Sequence, residues 1–327
     1  MHILVIGAAG MIGRKLTECL VGDGGLNGKA ITRLSLADIV MPQAPQGFSG
    51  KVDTVASDLS LPGEAEKAIA QRPDVIFHLA AIVSGEAEAD FDKGYRINLD
   101  GTHALLEAVR KTGDGYKPKL IFTSSIAVFG APFPPSIPDE FHLTPLTSYG
   151  TQKAICELLL ADYVRRGMLE GVGIRLPTIC VRPGKPNKAA SGFFSGIIRE
   201  PLAGQEAVLP VSETVVHTHA TPKAAVGFLI HAAGLSRDQL GPRVNLSMPG
   251  VSCSVAEQIA SLRRIAGDKV AARIRREPDP TIMKIVEGWP QKIEARRALS
   301  LGFRAETSFD DIVRTHIDDE LGGKFVA

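Results

Sequence analysis

The chain opens on a buried-strand run, His2 to Ile6, that breaks into Gly7-Ala8-Ala9-Gly10-Met11-Ile12-Gly13 and passes directly into the helical spacing of Met11 to Val21. Ile3-Leu4-Val5-Ile6 and Val75-Ile76-Phe77 carry no polar alternation, so these strands face no solvent on either side, which is the demand of a parallel sheet covered by helices on both faces. Further strand runs are expected at Ile31 to Leu36, Val52 to Ala56, Val75 to Leu79, Leu120 to Thr123 and Val172 to Leu176. Between them Glu64 to Gln71, Gly101 to Lys111 and Ser148 to Arg165 repeat apolar residues at helical spacing. The pattern predicts an α/β fold with a doubly wound parallel sheet. Ala131 to Pro138 is too rich in proline to continue either element and is expected to form a loop, a candidate lid. Beyond Arg182 the alternation fades, so residues 1–180 are read as a dinucleotide-binding domain and 181–327 as a mainly substrate-binding region partly interleaved with it.

A chain of 327 residues, 44% hydrophobic and with a formal net charge of +1, has ample material for a core and no basic footprint for nucleic acid or an anionic membrane. Small molecules are the expected partners. Cys19, Cys156, Cys180 and Cys253 lack metal-ligand spacing, so they are expected to be reduced and structural, with no metal site. The strand at the start leaves no space for a signal leader and no stretch reads as a membrane span, which points to the cytoplasm.

The G-x-x-G-x-x-G turn between strand and helix lets the backbone approach a pyrophosphate at a helix N-terminus, through Gly7, Gly10, Met11, Ile12 and Gly13. Asp38, closing the second strand run, is placed to accept from both adenosine ribose hydroxyls and to repel a 2′-phosphate, favouring NAD over NADP. Arg33 and Arg14 keep NADP open. Asp58-Leu59 and Ala80-Ala81 follow the third and fourth strands, where the rest of a dinucleotide would lie. His78 is read as a satisfied histidine at a strand end.

Tyr149 and Lys153 are four residues apart on a strongly helical stretch and share one face. A phenol titrates near ~10, but a neighbouring ammonium favours the phenolate, so Tyr149 becomes a base while Lys153 holds a cofactor ribose. Thr123-Ser124-Ser125 ends the fifth strand at the carboxyl edge of the sheet, where ligands of such folds bind. Ser125 is placed to hydrogen-bond a substrate oxygen, with Ser124 in reserve. Asn98 either caps the following helix or anchors a water near Lys153.

With the glycine turn, His78-Leu79-Ala80-Ala81, Asn98 with Gly101-Thr102, Ser125 and Tyr149-x-x-x-Lys153, the sequence resembles the extended short-chain dehydrogenases, of Rossmann fold. The resemblance implies Tyr149 as general base, Lys153 as the residue that lowers its pKa and binds NAD, Ser125 as substrate anchor, and Pro177-Thr178 against the nicotinamide. Many members act on nucleotide sugars. Here Ile126-Ala127 stands where the sugar-nucleotide dehydratases carry an Asp-Glu pair, and Arg175 to Asn187 lacks the usual sugar-nucleotide pattern.

Over Ala80 to Asp92, Arg175 to Asn187 and Gly196 to Gly204 the sequence is similar to the D-erythronate dehydrogenase branch of that family. That resemblance implies NAD-dependent oxidation of the 2-hydroxyl of a small sugar acid, D-erythronate. Such a substrate needs a cation and several polar partners, and Ser84, Ser125, Tyr149, Thr178, Arg182, Lys185 and Asn187 are the candidates, with Arg182 first for the carboxylate by its forked geometry. His217 and His219 are placed either to line the outer pocket or, as the preferred reading, to be surface or core histidines. The alternatives are a nucleotide-sugar epimerase with internal hydride return and a non-catalytic NAD sensor. Family likeness also implies a homodimer through the helices that hold Asn98 to Arg110 and Tyr149 to Arg165.

Overall fold

The computed structural model describes residues 1–184 and 190–327. The chain divides into two compact units, one formed by residues 1–128, 147–175 and 226–246, the other by 129–146, 176–225 and 247–327.

The first unit is built on a seven-stranded sheet. Its strands in chain order are β1 (His2–Ile6), β2 (Arg33–Asp38), β3 (Lys51–Ala56), β4 (Val75–His78), β5 (Lys119–Ser125), β6 (Glu170–Leu176) and β7 (Asn245–Ser247). In space they run β7-β6-β5-β4-β1-β2-β3. β1 to β5 pair in parallel, with Ile6 level with both Ala37 and His78. The expected doubly wound sheet is therefore present, and its order reverses between β1 and β4, the point where such sheets bind ligands at their carboxyl ends.

Side chains alternate faces along a strand. Leu4 and Ile6 pack in one cluster with Leu105, Leu106 and Val109 of α2 (Gly101–Thr112) and Cys156, Leu160 and Val164 of α3 (Ser148–Arg165). Ile3 and Val5 point the other way and are equally inaccessible, so both faces are covered. The first helix, α1 (Met11–Asp23), starts after Gly10 and stops where Gly24 takes a left-handed φ of 62° and its N–H closes on Leu20 and Val21.

The second unit is more regular than the fading alternation predicts. A core around Phe194, Ile197, Ile198, Val255, Ile259, Leu262 and Ile312 joins its helices. Thr178–Ile179, Val216–Ala220 and Val251–Ser254 form a three-stranded sheet of their own. The proline-rich stretch is irregular as expected, yet Ile137 is 1% exposed and bridges Ile293, so apolar burial anchors it. Among the described residues no helix is long and apolar enough to cross a membrane.

Candidate active site

The glycine turn is shaped by close approach of backbone to backbone. Gly7 holds φ at +91°, and a Cβ there would meet the Ala80 nitrogen at 2.7 Å, so only glycine lets β1 and the end of β4 come this close. Gly13 has no special φ, but its Cβ would lie 2.1 Å from the Gly7 oxygen and 2.7 Å from the Ala8 Cα. Gly10 is exposed, and a Cβ there would meet only the Gly7 oxygen, at 3.3 Å. The turn is thus packed behind and open in front, with Met11 and Ile12 opening the helix, and it fits a pyrophosphate at that helix N-terminus. Gly13→Ala forces the helix off the turn, and we expect at least about a tenfold loss of NADH affinity, read by fluorescence titration of the folded variant. Unchanged affinity would contradict this account of the turn.

Asp38 ends β2 and accepts from the Ala9 N–H at 2.9 Å, which fixes its carboxylate against the same turn. Arg33 is committed elsewhere, donating to Asp53 and Gln71 at 2.7 Å, so it is not the partner for a 2′-phosphate. Asp58 accepts from the Ser60 N–H and hydroxyl and pairs with Arg96 at 2.9 Å, and these bonds hold its carboxyl below the usual range against the opposing pull of desolvation. Leu59 beside it is buried. The Leu79 and Ala80 N–H groups both donate to the Ile6 carbonyl, which fastens Ala80-Ala81 to the end of β1.

Lys153 is almost wholly buried, and its ammonium donates to the Thr123 carbonyl at 2.8 Å. It lies 4.7 Å from the Phe122 ring centre and 5.8 Å from that of Tyr149. Burial lowers its pKa to about 8. An ammonium has three donors and the Thr123 bond uses one, so the group is able to serve a ribose. Thr147 caps α3 by accepting from the Gly150 N–H, which places Tyr149 in the first turn, half-buried. Ser125, also half-buried, accepts from the Ala127 N–H at 3.1 Å.

Asn98 corrects one expectation. It lies inside a π-helical turn, Tyr95–Asp100, and caps nothing; its amide bonds the backbone of Ile82 and the side chain of Gln152. His78 lies at the strand end as expected but is only half satisfied: its Nε2 lies 2.9 Å from the Thr102 hydroxyl, its buried Nδ1 has no hydrogen-bond partner among the described residues, and burial lowers its pKa to about 3.

Beneath the site lies a network that the motif reading missed. Ser124 donates to Glu157 at 2.5 Å, and Arg175 grips the same carboxylate through Nε at 2.9 Å and Nη2 at 2.7 Å. Glu157 is fully buried. Two signals in the sequence point to it: Glu157 repeats the four-residue step from Tyr149 to Lys153, and a charge inside Gly173-Ile174-Arg175-Leu176 needs a buried partner.

In the second unit Pro177 is buried, and the Thr178 hydroxyl lies 2.7 Å from His217 Nε2. With Nδ1–H donating to the Pro290 carbonyl, a neutral imidazole accepts from Thr178 at Nε2, so both ring nitrogens are satisfied. His217 stacks on Phe194, with ring centres 5.3 Å apart, and burial lowers its pKa to about 4. Arg182 bonds the Ile179 carbonyl and the Ser191 hydroxyl. Ser84 begins the helix Ser84–Ala89 of the first unit. Lys185 and Asn187 lie outside the described residues.

The His217 value lies below the ~6.5 of an unfolded chain, so acid protonates the unfolded state first and stability falls as pH drops from about 6.5 towards 4. At pH 5 this costs about 2 kcal/mol. His217→Asn is expected to reduce the loss of stability between about pH 7.5 and 5 by that amount in urea titrations; an unchanged pH slope would refute the role.

Residues 3–220 match the model of the NAD dependent epimerase/dehydratase family. The chain belongs to this family. NAD is the cofactor, and the protein is an NAD-dependent oxidoreductase acting on CH–OH groups. Members of the family similar to it include the D-erythronate dehydrogenase of Cupriavidus necator, 47% identical over 98% of both chains. The D-erythronate dehydrogenase of Haemophilus influenzae is 40% identical over 98% of this chain and 100% of its own. A crystal structure from Agrobacterium tumefaciens, named a nucleoside-diphosphate-sugar epimerase, superposes with a TM-score of 0.98 at 66% identity, over 99% of this chain and 95% of that one.

Proposed function

We propose that this protein oxidises the 2-hydroxyl of D-erythronate to the ketone with release of NADH, and that Tyr149 is the general base. The observation that carries the chemistry is the buried Lys153 ammonium beside the Tyr149 ring. The near-full-length likeness to two D-erythronate dehydrogenases carries the choice of substrate.

The positive charge of Lys153 favours the phenolate of Tyr149, which takes the hydroxyl proton. Ser125 donates to the same oxygen and orients it as it becomes a carbonyl. Bound NAD would supply the hydride acceptor for the carbinol carbon. Gly7, Gly10, Met11, Ile12 and Gly13 hold its pyrophosphate, Asp38 its adenosine ribose and Lys153 the other ribose, with Asp58, Leu59, Ala80, Ala81, Asn98 and Pro177 completing the cofactor contacts. Arg182 is the proposed partner of the substrate carboxylate, through a forked pair of N–H donors, and Ser84 and Thr178 bond its hydroxyls.

The second reading, a nucleotide-sugar epimerase, is favoured by the name of the Agrobacterium tumefaciens structure. The two differ in the fate of the hydride. The purified protein, given NAD and a panel of four- and six-carbon sugar acids, is expected to accumulate NADH with D-erythronate. Conversion of a nucleotide sugar without free NADH, and silence with every sugar acid, would sink the proposal. The proposed working form is a cytoplasmic homodimer, which cell fractionation and sedimentation velocity test directly; a monomer would refute it.

A further inference from the structure

Gln152 stands between Tyr149 and Lys153 on α3 and is fully buried. Its Oε1 accepts from Asn98 Nδ2 at 2.8 Å. Asn98 in turn grips Ile82 with both ends of its amide: Oδ1 accepts from the Ile82 N–H at 2.9 Å, and Nδ2 donates to the Ile82 carbonyl at 3.2 Å. A second tie lies further along the same segment, where the Glu88 carboxylate accepts from the Ser148 N–H at 3.0 Å, at the first residue of α3. The stretch from Ala80 to Ala89 is therefore fastened to the helix of Tyr149 and Lys153 at two places.

The other end of the Gln152 amide makes this position unusual. Its Nε2 is buried with no hydrogen-bond partner among the described residues, and it lies so near Gly94 that an added Cβ there would come within 2.7 Å. A buried donor without a partner destabilises a core, whereas methionine would fill the same volume without that penalty. Such a local cost is expected where a residue serves the site rather than the fold. The acceptor end is what the glutamine supplies, and it pins Asn98 in a π-helical turn, an irregularity common near functional sites.

We infer that Gln152 is a positioning residue: through Asn98 it holds the Ile82 backbone, and with it Ala80 to Ser84, in one register against Tyr149 and Lys153. The inference rests on the reading above, in which Ala80 and Ala81 contact NAD and Tyr149 takes the proton. If the segment slides, the hydride acceptor moves relative to the proton acceptor, and a misplacement of about 1 Å costs up to about a hundredfold in rate.

The test compares Gln152→Met, which keeps the volume and removes the acceptor, with Gln152→Glu, which keeps the acceptor. Turnover is expressed per NADH-binding site, so a fraction of misfolded protein lowers the site count and not the rate. Gln152→Met is expected to lower kcat per site by about tenfold while NADH affinity stays within about threefold, because the glycine turn is untouched. Gln152→Glu is expected to recover to within about threefold of the unaltered protein. Gln152→Ser, smaller and able to fit the same space, replaces the methionine variant if that one fails to fold. A methionine or serine variant within about twofold of full turnover per site, or a glutamate variant no better than it, overturns the inference. Failure of the underlying reading is separate, since it would appear as an active Tyr149→Phe protein.

Discussion

Tyr149→Phe is expected to lower kcat by about three orders of magnitude while leaving NADH affinity within about threefold. The phenyl ring fills the same space beside Lys153, so packing is kept and only the proposed proton acceptor is removed. General base catalysis by a positioned side chain is worth roughly 10²–10⁴-fold. The measurement is steady-state turnover of D-erythronate together with fluorescence titration of NADH. Turnover within about tenfold of the unaltered protein, with normal NADH binding, would remove Tyr149 from the mechanism.

The second large effect concerns stability. Arg175→Met leaves Glu157 fully buried without its guanidinium, two of whose nitrogens, Nε and Nη2, now approach the carboxylate at 2.9 and 2.7 Å. Breaking a buried ion pair from one side costs about 3–5 kcal/mol, because the remaining charge has lost its compensation. The thermal midpoint is expected to fall by on the order of 10 °C. Removing both charges, in Arg175→Met with Glu157→Leu, is expected to recover most of the loss, since a well-packed apolar pair is often as stable as the ions it replaces. A single Arg175→Met change costing less than about 1 kcal/mol would show that water or a shifted side chain reaches Glu157. The network also joins Ser124, next to Ser125, to the helix of Lys153, so the same substitution reads out how firmly these two segments are tied.

The strand runs were legible because a strand covered on both faces admits only apolar residues, and β1 falls at His2–Ile6 as its pattern predicts. The helix of Tyr149 and Lys153 was equally plain, Ser148–Arg165, since Thr147 supplies its cap and apolar spacing continues to its end. The capping alternative for Asn98 failed for a physical reason. Asn is a strong helix-capping residue, and nothing in Tyr95-Arg96-Ile97-Asn98 announces that the chain widens into a π turn and takes the side chain inward. Gln152 and Glu157 were overlooked for a related one: polar residues on a helix are usually solvated, and burial on the inner face is set by what packs against them.

What the sequence by itself determined is therefore local: the glycine turn, the parallel strands, the spacing of Tyr149 and Lys153, and Ser125 at a strand end. These rest on backbone sterics and on periodicities that act over a few residues. Only the tertiary structure decided the partners of the buried polar groups: Ser124 and Arg175 on Glu157, Asn98 between Ile82 and Gln152, and Thr178 on His217. A buried donor or acceptor must find its complement, and that complement lies wherever the folded chain brings it, up to 54 residues away for Asn98 and Gln152.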